Sequence, residues 1–163
     1  MKALISARIV RQVAAFAIGV ALIAVVEVAL AGPAEANVDR DGLGLRGYDP
    51  VAYFNEGRAV PGKLEFSAAF ASVTYRFASP ANRDAFNADP GKYAPQYGGY
   101  CAFGAALGKK FDGDPNVWSI VDGKLYLNLN ADAAKAWNKD IPGNVARANA
   151  KWPRIKDRPA GAL

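Results

Sequence analysis

The dipeptide Asp122-Gly123 lies between two apolar runs, Val117-Trp118-Ser119-Ile120-Val121 and Lys124-Leu125-Tyr126-Leu127-Asn128. A two-residue type I′ turn needs positive φ at both central positions, and Asp-Gly is one of the pairs that accepts it. Pairing outward from this turn sets Ile120 against Leu125 and Trp118 against Leu127 on one face. Val121 then faces Lys124, and Ser119 faces Tyr126, on the other. An apolar face emerges without adjustment, so the chain is expected to contain an antiparallel hairpin at this position.

A second hairpin is expected upstream. Val73, Tyr75 and Phe77 alternate with Thr74 and Arg76, the period of a half-buried strand, and Leu64-Glu65-Phe66 is the expected partner across a turn near Ala71-Ser72. Helical signals surround the strands. Ser79-Pro80 is an N-cap followed by a first-turn proline, with Ala81, Ala85 and Phe86 as the inner face and Asp89-Pro90-Gly91 as the stop. Asn130 caps a helix carrying Ala133, Ala136 and Trp137, which breaks at Pro142-Gly143. Asn144 caps another, in which Val145, Ala148 and Trp152 share a face before Pro153 ends it. Tyr48 to Phe54 reads as one helical turn or an edge strand. Without a βαβ period, the expectation is a single small α+β domain of antiparallel β-hairpins packed with short helices.

The N-terminus is different in kind. Lys2, Arg8 and Arg11 precede 14 uncharged residues, Val13 to Val26, and Ala34-Glu35-Ala36 follows as a small-x-small pattern. These are the three parts of an export signal, with cleavage expected after Ala36. The alternative is an uncleaved membrane anchor from about Val13 to Ala31. Residues 37–46 are polar, Gly-rich and aperiodic and are expected to form a linker, with the domain at 47–153 and a tail at 154–163. The expected location is therefore periplasmic or secreted, with membrane contact only through the signal segment before cleavage.

Of the 163 residues, 20 are Lys or Arg, 15 are Asp or Glu, one is Cys and none is His. Losing Lys2, Arg8, Arg11, Glu27 and Glu35 leaves 127 residues with 17 basic and 13 acidic side chains. No basic run exceeds Lys109-Lys110, so no nucleic-acid partner is indicated. Without His, a Ser-His-Asp or Cys-His nucleophile is excluded and the commonest metal ligand is missing. One Cys forms no internal disulfide, CxxC pair or Cys-rich zinc site. The mature part keeps 17 of the 18 aromatics, enough for a core in which Trp118, Trp137 and Trp152 are expected.

Gly47-Tyr48-Asp49-Pro50-Val51-Ala52-Tyr53-Phe54, Tyr75-Arg76-Phe77-Ala78-Ser79, Asn82-Arg83, Phe86, Pro90 to Tyr93, Pro95 to Ala102, and Asp122 to Asn128 occur in order. Together they resemble the exported YHS-domain proteins of bacteria over residues 47 to 153. That resemblance implies kinship with short YHS modules attached to copper-transporting ATPases and other metal-handling proteins. Those modules carry three Cys, at places that correspond here to Ala52, Ala78 and Asn82. With His absent and Met1 leaving with the signal, no cofactor is expected, and copper or zinc handling is the disfavoured alternative.

The segment Tyr97, Gly98, Gly99, Tyr100 and Cys101 is the candidate ligand-binding site. Paired glycines permit positive φ or close backbone approach, and flanking tyrosines could line a pocket. The competing reading is a tight turn locked by two core aromatics. Cys101 either packs as a small apolar residue between Tyr100 and Phe103 or serves as an intermolecular disulfide or activated thiolate. Activation would need a cation such as Lys109, Lys110 or Arg83, or a helix N-terminus. Asp112-Gly113-Asp114 reads as a turn, since the further oxygens of a calcium loop are missing. The function expected is a non-catalytic binding or accessory module for a small molecule or a periplasmic protein. An enzyme using Cys101 as nucleophile, or a carboxylate such as Asp112, is the second alternative.

Overall fold

The computed structural model describes residues 35–163, so residues 1–34 of the stretch read as an export signal, 1–36, lie outside the described residues. The fold is α+β, with six α-helices and two antiparallel hairpins among the described residues.

The second hairpin in chain order, β3 (Asp114–Val121) and β4 (Lys124–Asn128), has the expected register. Trp118 pairs with Leu127, Ser119 with Tyr126, Ile120 with Leu125 and Val121 with Lys124. Asp122 and Gly123 have φ of 50° and 71°. On the face opposite the apolar one, Tyr126 is buried as well. Leu125 and Leu127 enter one core cluster with Val51, Phe77 and Phe86, while Tyr126 enters a second with Tyr97, Ala102, Trp137 and Ala148. β4 therefore divides two cores, because helices cover the side that a lone hairpin would leave wet.

In the first hairpin, β1 (Lys63–Phe70) and β2 (Val73–Phe77), the turn is where expected but the partner differs. Ser67 to Phe70 pair with Arg76 to Val73, and the register slips between Lys63 and Ser67. Leu64-Glu65-Phe66 forms the irregular stretch, with Leu64 exposed. Three extra residues on β1 face a single step of β2, so the strand bulges there.

Asp49 settles the ambiguity over Tyr48 to Phe54. Its carboxylate accepts from Val51 N and Ala52 N and starts α1 (Ala52–Asn55), so the segment is a helical turn. Ser79 Oγ accepts from Asn82 N and starts α2 (Pro80–Ala88), which buries Phe86 and leaves Ala81 exposed. Asp89 both ends α2 and caps α3 (Pro90–Tyr93). Cys101 precedes α4 (Ala102–Leu107), and Asn130 caps α5 (Ala131–Asn138).

The last helix, α6 (Ile141–Ile155), corrects two expectations. Asp140, not Asn144, is its cap, accepting from Gly143 N at 2.9 Å. Pro142 fits inside because a first-turn residue has no intrahelical acceptor for the N–H that proline lacks. Asn144 is buried instead, donating to the carbonyls of Ala136 and Trp137 and so closing α5. Pro153 lies inside α6 rather than ending it, within the last turn. Beyond it, Lys110 Nζ donates to the carbonyls of Lys156 and Arg158, so residues 154–158 are tied down.

Residues 37–46 pack as part of the domain, although their composition reads as a linker. Leu43 and Leu45 are buried, Leu43 bridges to Thr74, and Asn37 N donates to Gly98 O. Two leucines in a Gly-rich segment suffice to dock it. Of the three tryptophans, Trp137 is fully buried, while Trp118 and Trp152 pack half-buried on the edges of the two clusters. No helix among the described residues is long and apolar enough to cross a membrane.

Candidate functional site

The loop from Tyr97 to Cys101 is a tight turn. Tyr97, Gly98 and Gly99 take φ of 52°, 61° and 83° in succession. Two glycines make this run accessible, and the strain at Tyr97 is held by packing. Its ring lies against Tyr126 and Trp152, and its hydroxyl donates to Asn149 Oδ1 at 2.9 Å. Tyr100 donates to Ala36 O at 3.2 Å, and the Lys110 ammonium lies 5.0 Å from its ring centre. Burial raises the pKa of both hydroxyls, helped by Tyr126 at Tyr97 and by Asp112 at Tyr100. The two tyrosines thus spend their hydroxyls on the chain itself.

Gly98 is covered by residues 35–37. A Cβ there would collide with the Glu35 carbonyl, so glycine is required by both space and φ. It lines a small cavity of about 170 Å³ with Glu35, Pro95, Tyr75 and Trp152. Asp112 lies at the edge of this region, accepting from Asn37 Nδ2 at 2.8 Å and facing Arg46 at 3.8 Å.

Cys101 is 1% exposed. Its sulfur accepts from Gly104 N at 3.4 Å as the cap of α4, and its thiol points at Asn128 Oδ1, 3.6 Å away. Asn128 Oδ1 also accepts from Phe103 N, so a buried amide carbonyl ties the cap to the end of β4. Of the routes to an activated thiolate, the helix N-terminus is present, since Cys101 caps α4, whereas Arg83 pairs with Asp84 and Lys110 donates to the carbonyls after α6.

Cys101 has a second neighbour that its sequence context hides. It forms the floor of a cavity of about 320 Å³ walled by Phe103, Gly104, Leu107, Phe111, Leu129 and Ala133, with Asn130 and Asp132 as the polar members. Of the five candidate residues only Cys101 lines it. Leu107, Phe111 and Leu129 are 56%, 45% and 40% exposed around it, three of the five large apolar side chains left exposed among the described residues. Sequence reasoning passed over these walls. The signal was present in Leu129, which continues the Leu125, Leu127 alternation past the end of β4 with nothing opposite to bury it.

The three positions at which thiolates would stand by resemblance do lie around one point, but it is a carboxylate. Asp49, fully buried, accepts from Ala52 N at 3.3 Å, Ala78 N at 2.8 Å and Asn82 Nδ2 at 2.7 Å. The donors all present hydrogens and the two alanines carry no ligand atom. This cluster does not fit a soft metal. Among the described residues no group of three or more His, Cys, Asp or Glu side chains is placed to hold a metal ion. Compared with protein families, curated proteins and solved structures, the chain matches none.

Proposed function

We propose that this chain is an exported, non-catalytic binding module of the YHS type, periplasmic or secreted, that takes the apolar part of a small molecule in the cavity above Cys101. The carrying observation is the cavity itself. It has almost wholly apolar walls, a volume of about 320 Å³, and a mouth ringed by exposed Leu107, Phe111 and Leu129. That volume lies at the lower end of the ~300–1,000 Å³ typical of ligand sites. An apolar guest seated there would take the exposed faces of Leu107, Phe111 and Leu129 out of water, which is favourable in proportion to the apolar area covered. Export is supported by the charge pattern and the apolar run of residues 1–36, and the burial of the Cys101 thiol, 1% exposed, supports a binding rather than a covalent role for it.

The test is thermal stability across a panel of apolar probes such as toluene, cyclohexanol and hexanol, with Ala133→Leu as the cavity-filling variant. At tenfold excess over Kd, a bound probe stabilises the wild type by about 1.4 kcal/mol. Ala133→Leu should keep the fold and lose the response. A flat wild-type response across the panel, or an equal response in the filled variant, contradicts the assignment.

A further inference from the structure

The peptide bond expected to be cut during export, Ala36–Asn37, is built into the folded domain through both of its polar atoms. Its carbonyl oxygen accepts from the Tyr100 hydroxyl at 3.2 Å, and its N–H donates to Gly98 O at 2.8 Å. The flanking side chains are engaged as well. Glu35 pairs with Lys156 at 2.7 Å, and Asn37 Nδ2 donates to Asp112 at 2.8 Å. Burial of Leu43 and Leu45 a few residues on, and the bridge from Val38 to Gly44, limit how far the segment peels away alone.

A peptidase that reads a small-x-small pattern must hold the chain extended, seat both small side chains and take the scissile carbonyl into its own hydrogen-bond donors. The Ala36 carbonyl serves Tyr100 or the peptidase, not both at once. From this we infer that folding of the domain protects the Ala36–Asn37 bond, so that processing has to precede folding. The inference rests on the reading that cleavage follows Ala36. Hydrolysis adds one water across the bond, leaving a carboxylate on Ala36 and an ammonium on Asn37. In a chain cut first, that ammonium retains the Gly98 carbonyl as acceptor, so the processed domain keeps its N-terminus in place. A chain that folds first retains residues 1–36, including the stretch from about Val13 to Ala31 read as the alternative anchor, and stays tethered through it. The relative rates of cutting and folding then set the proportion of released and tethered protein, which gives both the cleaved and the anchored alternative a physical origin.

The experiment compares full-length precursor in detergent with the same chain held unfolded by Asp49→Ala and Trp137→Ala, each incubated with a type I signal peptidase and followed by intact mass. The unfolded chain should lose residues 1–36 at least tenfold faster. Tyr100→Phe, which removes the hydroxyl donor to the Ala36 carbonyl, should speed cutting of the folded precursor several-fold while its circular dichroism is unchanged. Equal rates for folded and unfolded chains overturn the protection. If the unfolded chain is not cut after Ala36, the processing reading beneath the proposal falls, and the two failures are told apart by the product mass.

Discussion

Asp49 shows how one side chain can organise residues far apart in sequence. Its buried carboxylate accepts from Val51 N, Ala52 N, Ala78 N and Asn82 Nδ2, joining the start of α1 to the strand end and helix that follow β2. Each donor is left without water when the carboxylate is removed, at ~1–3 kcal/mol per buried unsatisfied group. Asp49→Ala should therefore lower the unfolding free energy by roughly 3 kcal/mol or more, and Asp49→Asn by less, since the amide keeps one acceptor; denaturant titration measures both. The Asp-Pro pair shows turn chemistry in the sequence. Nothing local shows that residues 78 and 82 complete it, because those bonds depend on how β2 and α2 are brought back against α1. Cys101 follows the same logic: its burial is legible from residue type, but its place under a cavity depends on Leu107, Phe111 and Leu129, which come together only in the fold.

The two hairpins differ in how far sequence reaches. At Asp122-Gly123 the turn and the strand pattern agree, and the register is readable because every interaction that sets it is within ten residues. At Ala71-Ser72 the φ values of 49° and 63° oppose the residue types, and the conformation is imposed by the strands on either side. Left-handed backbone costs a non-glycine residue ~1–2 kcal/mol. Replacing the pair by Asn-Gly should raise stability by about 1 kcal/mol, seen as a higher denaturant midpoint with an unchanged slope. No change, or a loss, would mean that Ala71 and Ser72 contribute contacts beyond the turn. The junction between α5 and α6 shows the opposite limit. Asp140 and Asn144 are both acceptable caps by type, and the choice falls to Asp140 because Asn144 is needed under the last carbonyls of α5.

For the whole molecule, the α+β class was legible from strand and helix periods, while the division into two cores was not, since β4 reads as a one-sided strand and is buried on both faces. The aromatics that fill those cores set the alkaline limit of the fold. Burial raises the hydroxyl pKa of Tyr53, Tyr75, Tyr97, Tyr100 and Tyr126, with Tyr75 pushed up to about 12. Unfolded tyrosines ionise near pH 10, so the stability these five supply is complete below that pH and is lost progressively as pH rises above it. Lys110 works in the other sense: burial lowers its pKa, partly offset by Asp157 and Glu35, so its penalty fades as pH rises toward its ordinary value. Five groups outweigh one, and unfolding monitored by tyrosinate absorbance should set in steeply between pH 10 and 12. The binding assignment is tested most directly by two-dimensional NMR of the protein titrated with toluene. The account predicts saturable shifts of the Leu107, Leu129 and Ala133 methyl signals while the Tyr97 and Tyr100 ring signals stay fixed. Shifts confined to the two tyrosines, or no saturable shift at all, would contradict it.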